Sequence, residues 1–386
     1  MLAPHSPTKP ERRRNEAEAG APSWWIPYSK IPIGAKLEHR WRPTDNPSRL
    51  VLGGPAASCH KDNAKGGVAE CAGVSLRVPV SGRERFLRMR TRDGRSIGVL
   101  EVGQAAGMPV FHFHGSGSSR LEAVLVADAA KKAGVRLIAL DRPGVGQSDP
   151  CHRDRLLDWP EKVVEVADAL KIQKFAVLGM SAGGPYALAC AAAIPHRLTA
   201  CALICAVAPP ELIRRAAPLW MRLIWRSAQR FPTTFDAFLR MAVPNRPQSV
   251  GAAERWIRWC TPWMAPADRA VLRAHGTRVG LARAFAEGRR QGAEATRREA
   301  MTEVRCWGFA IKDIRFETIF LWHGEQDRLM PVAASRLFAD ALPHCRATFY
   351  PHDGHFSTAL VHAEEIFAAL VRAHQKDEPM TASCGG

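Results

Sequence analysis

The sequence predicts an α/β protein: a mostly parallel sheet with helices on both faces and a helical insertion. Three observations carry this expectation. From about residue 86, short apolar runs of strand length alternate with segments of helical spacing. The alternation stops at Pro209-Pro210, and about a hundred residues follow with no convincing strand. It then resumes at Thr318 and runs through Tyr350. Such alternation is the pattern of parallel strands covered by helices on both sides. A length of 386 residues suits one large domain carrying an insertion.

The elements follow in order. Residues 97–102 read as a strand after the turn Asp93-Gly94, and residues 109–114 as a second. A helix over 121–133 leads into a strand over 135–140. A helix over 159–170 is followed by a strand over 174–179, a helix over 182–194 and a strand over 198–206. After the insertion come strands at 318–322 and 347–350 and a last helix at 364–374. The expected division is a core over 86–207 and 311–376, a helical cap over 208–310 and a disordered tail over 377–386. Residues 1–85 are rich in Pro and Gly with no sustained periodicity, and are expected to form an irregular or disordered extension.

Composition excludes several classes. With 46% hydrophobic and 24% charged residues, the chain is neither wholly disordered nor fibrous. No run approaches the roughly 20 apolar residues of a membrane span. The first residues contain no apolar signal core, and Glu11, Glu16 and Glu18 interrupt the basic run. The ten cysteines include no C-x-x-C pair, so zinc and dithiol motifs are not indicated, and a reducing, cytoplasmic setting is expected. The net charge is +17, and residues 211–310 hold 18 Arg and no Lys against eight acids. These arginines lie on amphipathic segments without a nucleic-acid motif. Solvated faces are therefore expected, rather than a nucleic-acid partner.

The strongest chemical signal is Gly179-Met180-Ser181-Ala182-Gly183-Gly184. It fits G-x-S-x-G between a strand and a helix. A nucleophile on so sharp a turn needs small neighbours, and the helix that follows offers backbone N–H groups to a developing oxyanion. A glycine-rich turn with a helix-capping serine is the plainer alternative. Serine also needs a base, and the base an orienting acid. Asp327 lies beyond the strand ending at Gly324, with Glu325 as its competitor. His355, in His352-Asp353-Gly354-His355, follows the last strand, with His352 as its competitor. The loop His114-Gly115-Ser116-Gly117-Ser118-Ser119 could bring Ser116 N–H to an oxyanion, beside that of Ala182. It lacks the lysine and glycine spacing of a nucleotide loop. His112 and His114 share a strand face, but no third metal ligand is evident.

Together FHFHGSGSSR, LDRPGVGQSD, GMSAGGPYALA and LWHGEQDRLMPV followed by PHDGH resemble the α/β-hydrolase superfamily over roughly residues 86–376. The resemblance implies Ser181 as nucleophile, Asp327 as acid, His355 as base, and Ser116 and Ala182 as oxyanion donors. It makes 141–144 a structural loop near the site and the insertion a helical cap. Relatives with an aspartate nucleophile, such as haloalkane dehalogenases and epoxide hydrolases, differ at Ser181. The expected activity is a cofactor-free serine hydrolase cleaving a small-molecule ester with an apolar acyl or aryl group. A carbon–carbon bond hydrolase or perhydrolase with the same triad, and a non-catalytic ligand-binding protein, remain alternatives. Oligomeric state stays open, a homo-oligomer included. Trp220, Trp225, Trp256, Trp259 and Trp263 in the insertion are expected to pack on the main domain or to roof the substrate pocket, with the arginines facing water.

Overall fold

The computed structural model describes residues 75–76, 84–151, 155–243 and 248–377. Most of the expected extension, and the tail from 378 onward, lie outside the described residues. Among the described residues nine strands form one sheet: β1 (Ser75–Leu76), β2 (Arg85–Arg90), β3 (Ser96–Gly103), β4 (Met108–Phe113), β5 (Val135–Leu140), β6 (Phe175–Met180), β7 (Leu198–Ile204), β8 (Ile319–Gly324) and β9 (Cys345–Tyr350). Their order is β1-β2-β3-β5-β4-β6-β7-β8-β9. The first three strands pair antiparallel, as do β3 and β5; every pair from β5 through β9 is parallel.

The sheet starts earlier than the sequence suggests. Strand β1 lies at Ser75–Leu76, inside the stretch expected to be irregular, and pairs with β2. In β2, the sequence RFLRMR buries only Leu87 and Met89. Arg88 and Arg90 alternate with them, but Arg85 falls on their own face and Phe86 on the opposite one, which masks the two-residue period.

The central strands β6 and β7 are buried at every position, as expected of strands covered on both faces. Successive side chains enter opposite layers. Phe111, Val177, Leu203 and Leu321 pack into one layer with Phe338. Val110, Leu178 and Ile204 pack into the other with Phe367. The first layer takes α2 (Trp159–Ala169), α3 (Gly184–Ala193) and α11 (Val332–Ala341), and the second takes α1 (Ala127–Lys132) and α13 (Ala363–Asp377). Before α1, the helix expected from residue 121 opens as a 3-10 turn over Arg120–Val126, capped by the Ser119 hydroxyl, which accepts from Leu121 N–H. A short helix α12 (His355–Val361) precedes α13.

Between β7 and β8 the described residues form seven α-helices: α4 (Pro210–Ala216), α5 (Leu219–Arg230), α6 (Pro232–Ala242), α7 (Val250–Cys260), α8 (Pro266–Arg273), α9 (His275–Gly288) and α10 (Glu294–Val304). Pro210, Pro232 and Pro266 open α4, α6 and α8, where proline's missing N–H costs nothing. Ala253, Ile257, Leu272 and Leu281 give this insertion its own apolar cluster.

The tryptophans behave differently from expectation. Trp220, Trp256, Trp259 and Trp263 are 58%, 50%, 70% and 71% exposed, and only Trp225, at 7%, enters the core. The stripe therefore does not pack as a unit. Not every arginine of the insertion faces water either. Arg297 is buried, paired with Glu294 and donating to Val243 O. Among the described residues, no helix is long and apolar enough to cross a membrane.

Candidate active site

Ser181 stands where β6 turns into α3. Its φ is +52°, a left-handed conformation that costs a non-glycine residue about 1–3 kcal/mol. The turn is as tight as the G-x-S-x-G spacing implies. A Cβ on Gly179 would lie 2.4 Å from Gly183 O, and one on Gly183 would lie 2.0 Å from Phe113 O. Residues with side chains at either position would push β6, α3 and β4 apart. The Ser181 carbonyl accepts from Val207 N–H, which ties the turn to the chain leaving β7.

Asp327 and His355 follow β8 and β9, so all three side chains belong to the C-terminal edge of the parallel strands. Ligand sites of open parallel sheets lie at this edge. His355 Nδ1 is 2.7 Å from Asp327 Oδ2, and both residues are buried. The other oxygen, Oδ1, accepts from Leu329 N–H at 2.8 Å and Met330 N–H at 2.9 Å. Burial by itself would raise the Asp327 pKa, but the His355 imidazole, then His323 and the Met330 amide, hold it below the usual carboxylate value. Burial would lower the His355 pKa, and Asp327 outweighs that effect and raises it. The competitors are placed elsewhere. Glu325 pairs with Arg336 at the surface, and His352 is exposed.

On the facing loop Ser116 is exposed, while Ala182 is buried in the turn after Ser181. Gly115 is close enough that a Cβ there would contact Ser181 Cβ at 3.6 Å. The sequence reading missed how this loop is held. Glu122 accepts from Gly115 N–H with both oxygens, at 3.3 and 3.2 Å, and lies 3.4 Å from His112 Nε2. Arg142 grips the same loop from the other side. It donates to His114 O at 2.5 Å and Gly115 O at 3.2 Å, and pairs with Glu299 of α10 at 2.7 Å. The loop at 141–144 is thus a brace between the loop at Ser116 and the insertion. Asp141, paired with Arg120, closes it from below.

The pair His112 and His114 does not build a metal site. His114 Nδ1 is engaged with Gly115 O, and His112 faces Glu122. Cys205, Asp327 and His355 do approach within 4.8 Å of one another. Burial and then the Asp327 charge push the Cys205 thiol well above its ordinary value, so it stays protonated. Both imidazole and carboxylate are already committed to each other, which suits proton handling rather than metal ligation.

A small, mainly apolar cavity of about 50 Å³ adjoins this edge, lined by Leu125, Met180, Leu281, Phe356, Leu360 and Phe367. Met180 precedes Ser181 and Phe356 follows His355. A second cavity, about 30 Å³, lies between Arg142, Trp159, Tyr186 and α10 and is lined by charged residues as well. A further contact was also illegible in the sequence. Asp268 of α8, fully buried, accepts from the backbone N–H groups of His355, Phe356 and Ser357 at 2.9, 2.8 and 2.8 Å.

A nine-stranded, mostly parallel sheet with a strained serine turn and a buried histidine–carboxylate pair at one edge defines a hydrolase architecture. The chain belongs to the alpha/beta hydrolase fold family, whose model matches residues 109–359. It is 27% identical over 275 residues to 2-hydroxymuconate semialdehyde hydrolase of Pseudomonas putida, covering 69% of this chain and 87% of that protein. It is 35% identical over 121 residues to the dihydrolipoyllysine-residue acetyltransferase component of the acetoin cleaving system of the same species; that match spans 31% of this chain and 32% of the relative. The fold superposes on an esterase from Rhodococcus with a TM-score of 0.54 at 19% identity, covering 74% of this chain and 98% of that one.

Proposed function

We propose that this chain is a serine esterase with Ser181 as nucleophile, His355 as base and Asp327 as the orienting acid. The observation that carries the reading is the 2.7 Å contact between His355 and Asp327 beside a strained serine turn. With Nδ1–H held by Asp327, Nε2 is the nitrogen left to take the Ser181 proton. Ser181 Oγ attacks the ester carbonyl carbon, and the oxyanion is received by Ser116 and Ala182 N–H. The alcohol leaves with the proton from His355. Water, deprotonated by His355, then cleaves the acyl-enzyme and releases the acid.

The helical insertion acts as the cap of this site. Leu281 of the insertion and Leu360 of α12 face the apolar cavity, so acyl selectivity is assigned to them and not to the tryptophans. A second reading, hydrolysis of a carbon–carbon bond by the same triad, is supported by the 27% identity to 2-hydroxymuconate semialdehyde hydrolase. One comparison separates the two. Turnover of p-nitrophenyl esters from acetate to decanoate is measured beside turnover of 2-hydroxymuconate semialdehyde. The ester reading expects kcat/KM to climb by up to about fourfold per methylene until the cavity fills, at about 0.8 kcal/mol for each buried CH₂. Fast cleavage of the semialdehyde with negligible ester turnover would favour the second reading. Inertness toward every substrate would favour a binding protein.

A further inference from the structure

We propose that Asp268, on α8 of the insertion, is a positioning residue for His355: a second carboxylate that fixes the histidine's backbone and supports its charge. The proposal rests on the reading of His355 as the catalytic base.

The geometry is specific. Oδ2 of Asp268 accepts from His355 N–H, while Oδ1 accepts from both Phe356 and Ser357 N–H. Three consecutive amides of the segment bearing His355 are therefore held by one side chain from a distant part of the chain. Asp268 is fully buried, and among the described residues its hydrogen-bond donors are backbone amides. The residue before His355 makes room for it, since a Cβ on Gly354 would lie 2.2 Å from Asp268 Oδ2. A buried carboxylate with only amide donors is costly unless every donor is well placed. The contact is thus sensitive to small movements of α8. It links the placement of the insertion to the orientation of the imidazole.

The charge adds a second effect. His355 is faced by Asp327, by Glu122 from the turn after β4, by the protonated Cys205 thiol at the end of β7, by His323 of β8 and by Asp268. Burial would lower the His355 pKa; Asp327, Asp268 and Glu122 all raise it. Of these, Asp327 alone bonds the ring, and Asp268 bonds the backbone of the same residue. An imidazolium forms in each half-reaction, so a nearby fixed negative charge stabilises it through the step.

The test uses Asp268→Asn and Asp268→Ser in the full chain. The readouts are kcat and KM on a short p-nitrophenyl ester, the rate of fluorophosphonate labelling of Ser181 against pH, and the His355 Hε1 titration by NMR. Positioning by Asp268 lowers kcat about tenfold or more with KM nearly constant. It also moves the His355 titration and the acid limb of labelling to lower pH in both folded variants. A structural strut for the insertion would instead raise KM or lower Tm and leave the titration in place, which overturns the proposal. Failure of both variants to fold also overturns it. Absence of labelling in the wild-type chain would defeat the serine-hydrolase reading itself, whereas wild-type labelling with unshifted variants defeats only the role of Asp268.

Discussion

His355 Nδ1 and Asp327 Oδ2 meet at 2.7 Å, with the Asp327 side chain fully withdrawn from water and that of His355 nearly so. Asp327 is itself fixed by two amides of the loop that carries it. His323 lies 3.5 Å from the same oxygen, but its Nε2 also engages Met330 O, and burial lowers its pKa. It therefore stays neutral and leaves Asp327 to His355.

Replacing the acid tests this arrangement. Asp327→Asn keeps the shape but presents an amide to Nδ1, favouring the wrong imidazole tautomer. An esterase working as proposed should lose about ten-thousandfold in kcat. Glu325→Gln, at the surface beside Arg336, should remain near wild type. Steady-state kinetics of the two variants check this, and the reverse pattern would move the acid to Glu325.

The pH profile follows from the sign of the His355 shift. The base works only when neutral. A raised pKa keeps the ring protonated to higher pH, so the acid limb of kcat/KM should lie above 6.5, the ordinary imidazole value. Asp327, with a lowered pKa, stays ionised throughout that range. A limb below the ordinary value would show that burial outweighs the carboxylates.

Stability should respond at Glu303. Burial first, and then the neighbouring Glu299, push this carboxyl up to about 8, against the pull of Arg142. Its Oε1 is buried without a partner. A folded-state pKa above the unfolded one makes the folded chain bind more protons, so this group costs stability as pH rises from 4.5 toward 8. Glu303→Gln should raise stability by up to about 4 kcal/mol at pH 8 and above. The gain should vanish as pH falls toward 4.5. Urea denaturation at both ends of the range measures it, and a pH-independent difference would contradict the assignment.

Much of the core was legible because its signals are local. The strand at 135–140 has the boundaries its apolar run suggests, and Gly179, Ser181 and Gly183 announce a turn by residue type alone. Strand β2 was hidden by its arginines, and α12 by its brevity. The long-range polar contacts could not be read at all. Asp268 looks like any first-turn acid of an amphipathic helix, and Glu122 like a surface residue before an apolar run. Nothing local says that one bonds the backbone of His355 and the other Gly115. The exposed tryptophans are the opposite case. Their helical spacing suggested burial, but spacing cannot tell which side of α7 meets the protein, and Ala253 and Ile257 occupy that side.

The central claim is that Ser181 is a nucleophile activated by His355. The most direct measurement is fluorophosphonate labelling followed by peptide mass spectrometry, with Ser181→Ala and His355→Ala beside the wild-type chain. The proposed mechanism predicts one phosphonyl adduct on the peptide containing Ser181, absent in Ser181→Ala and formed at least a hundredfold more slowly in His355→Ala, as expected when a general base is removed. No adduct on the wild-type chain, or an adduct on Ser116 that survives Ser181→Ala, would contradict it.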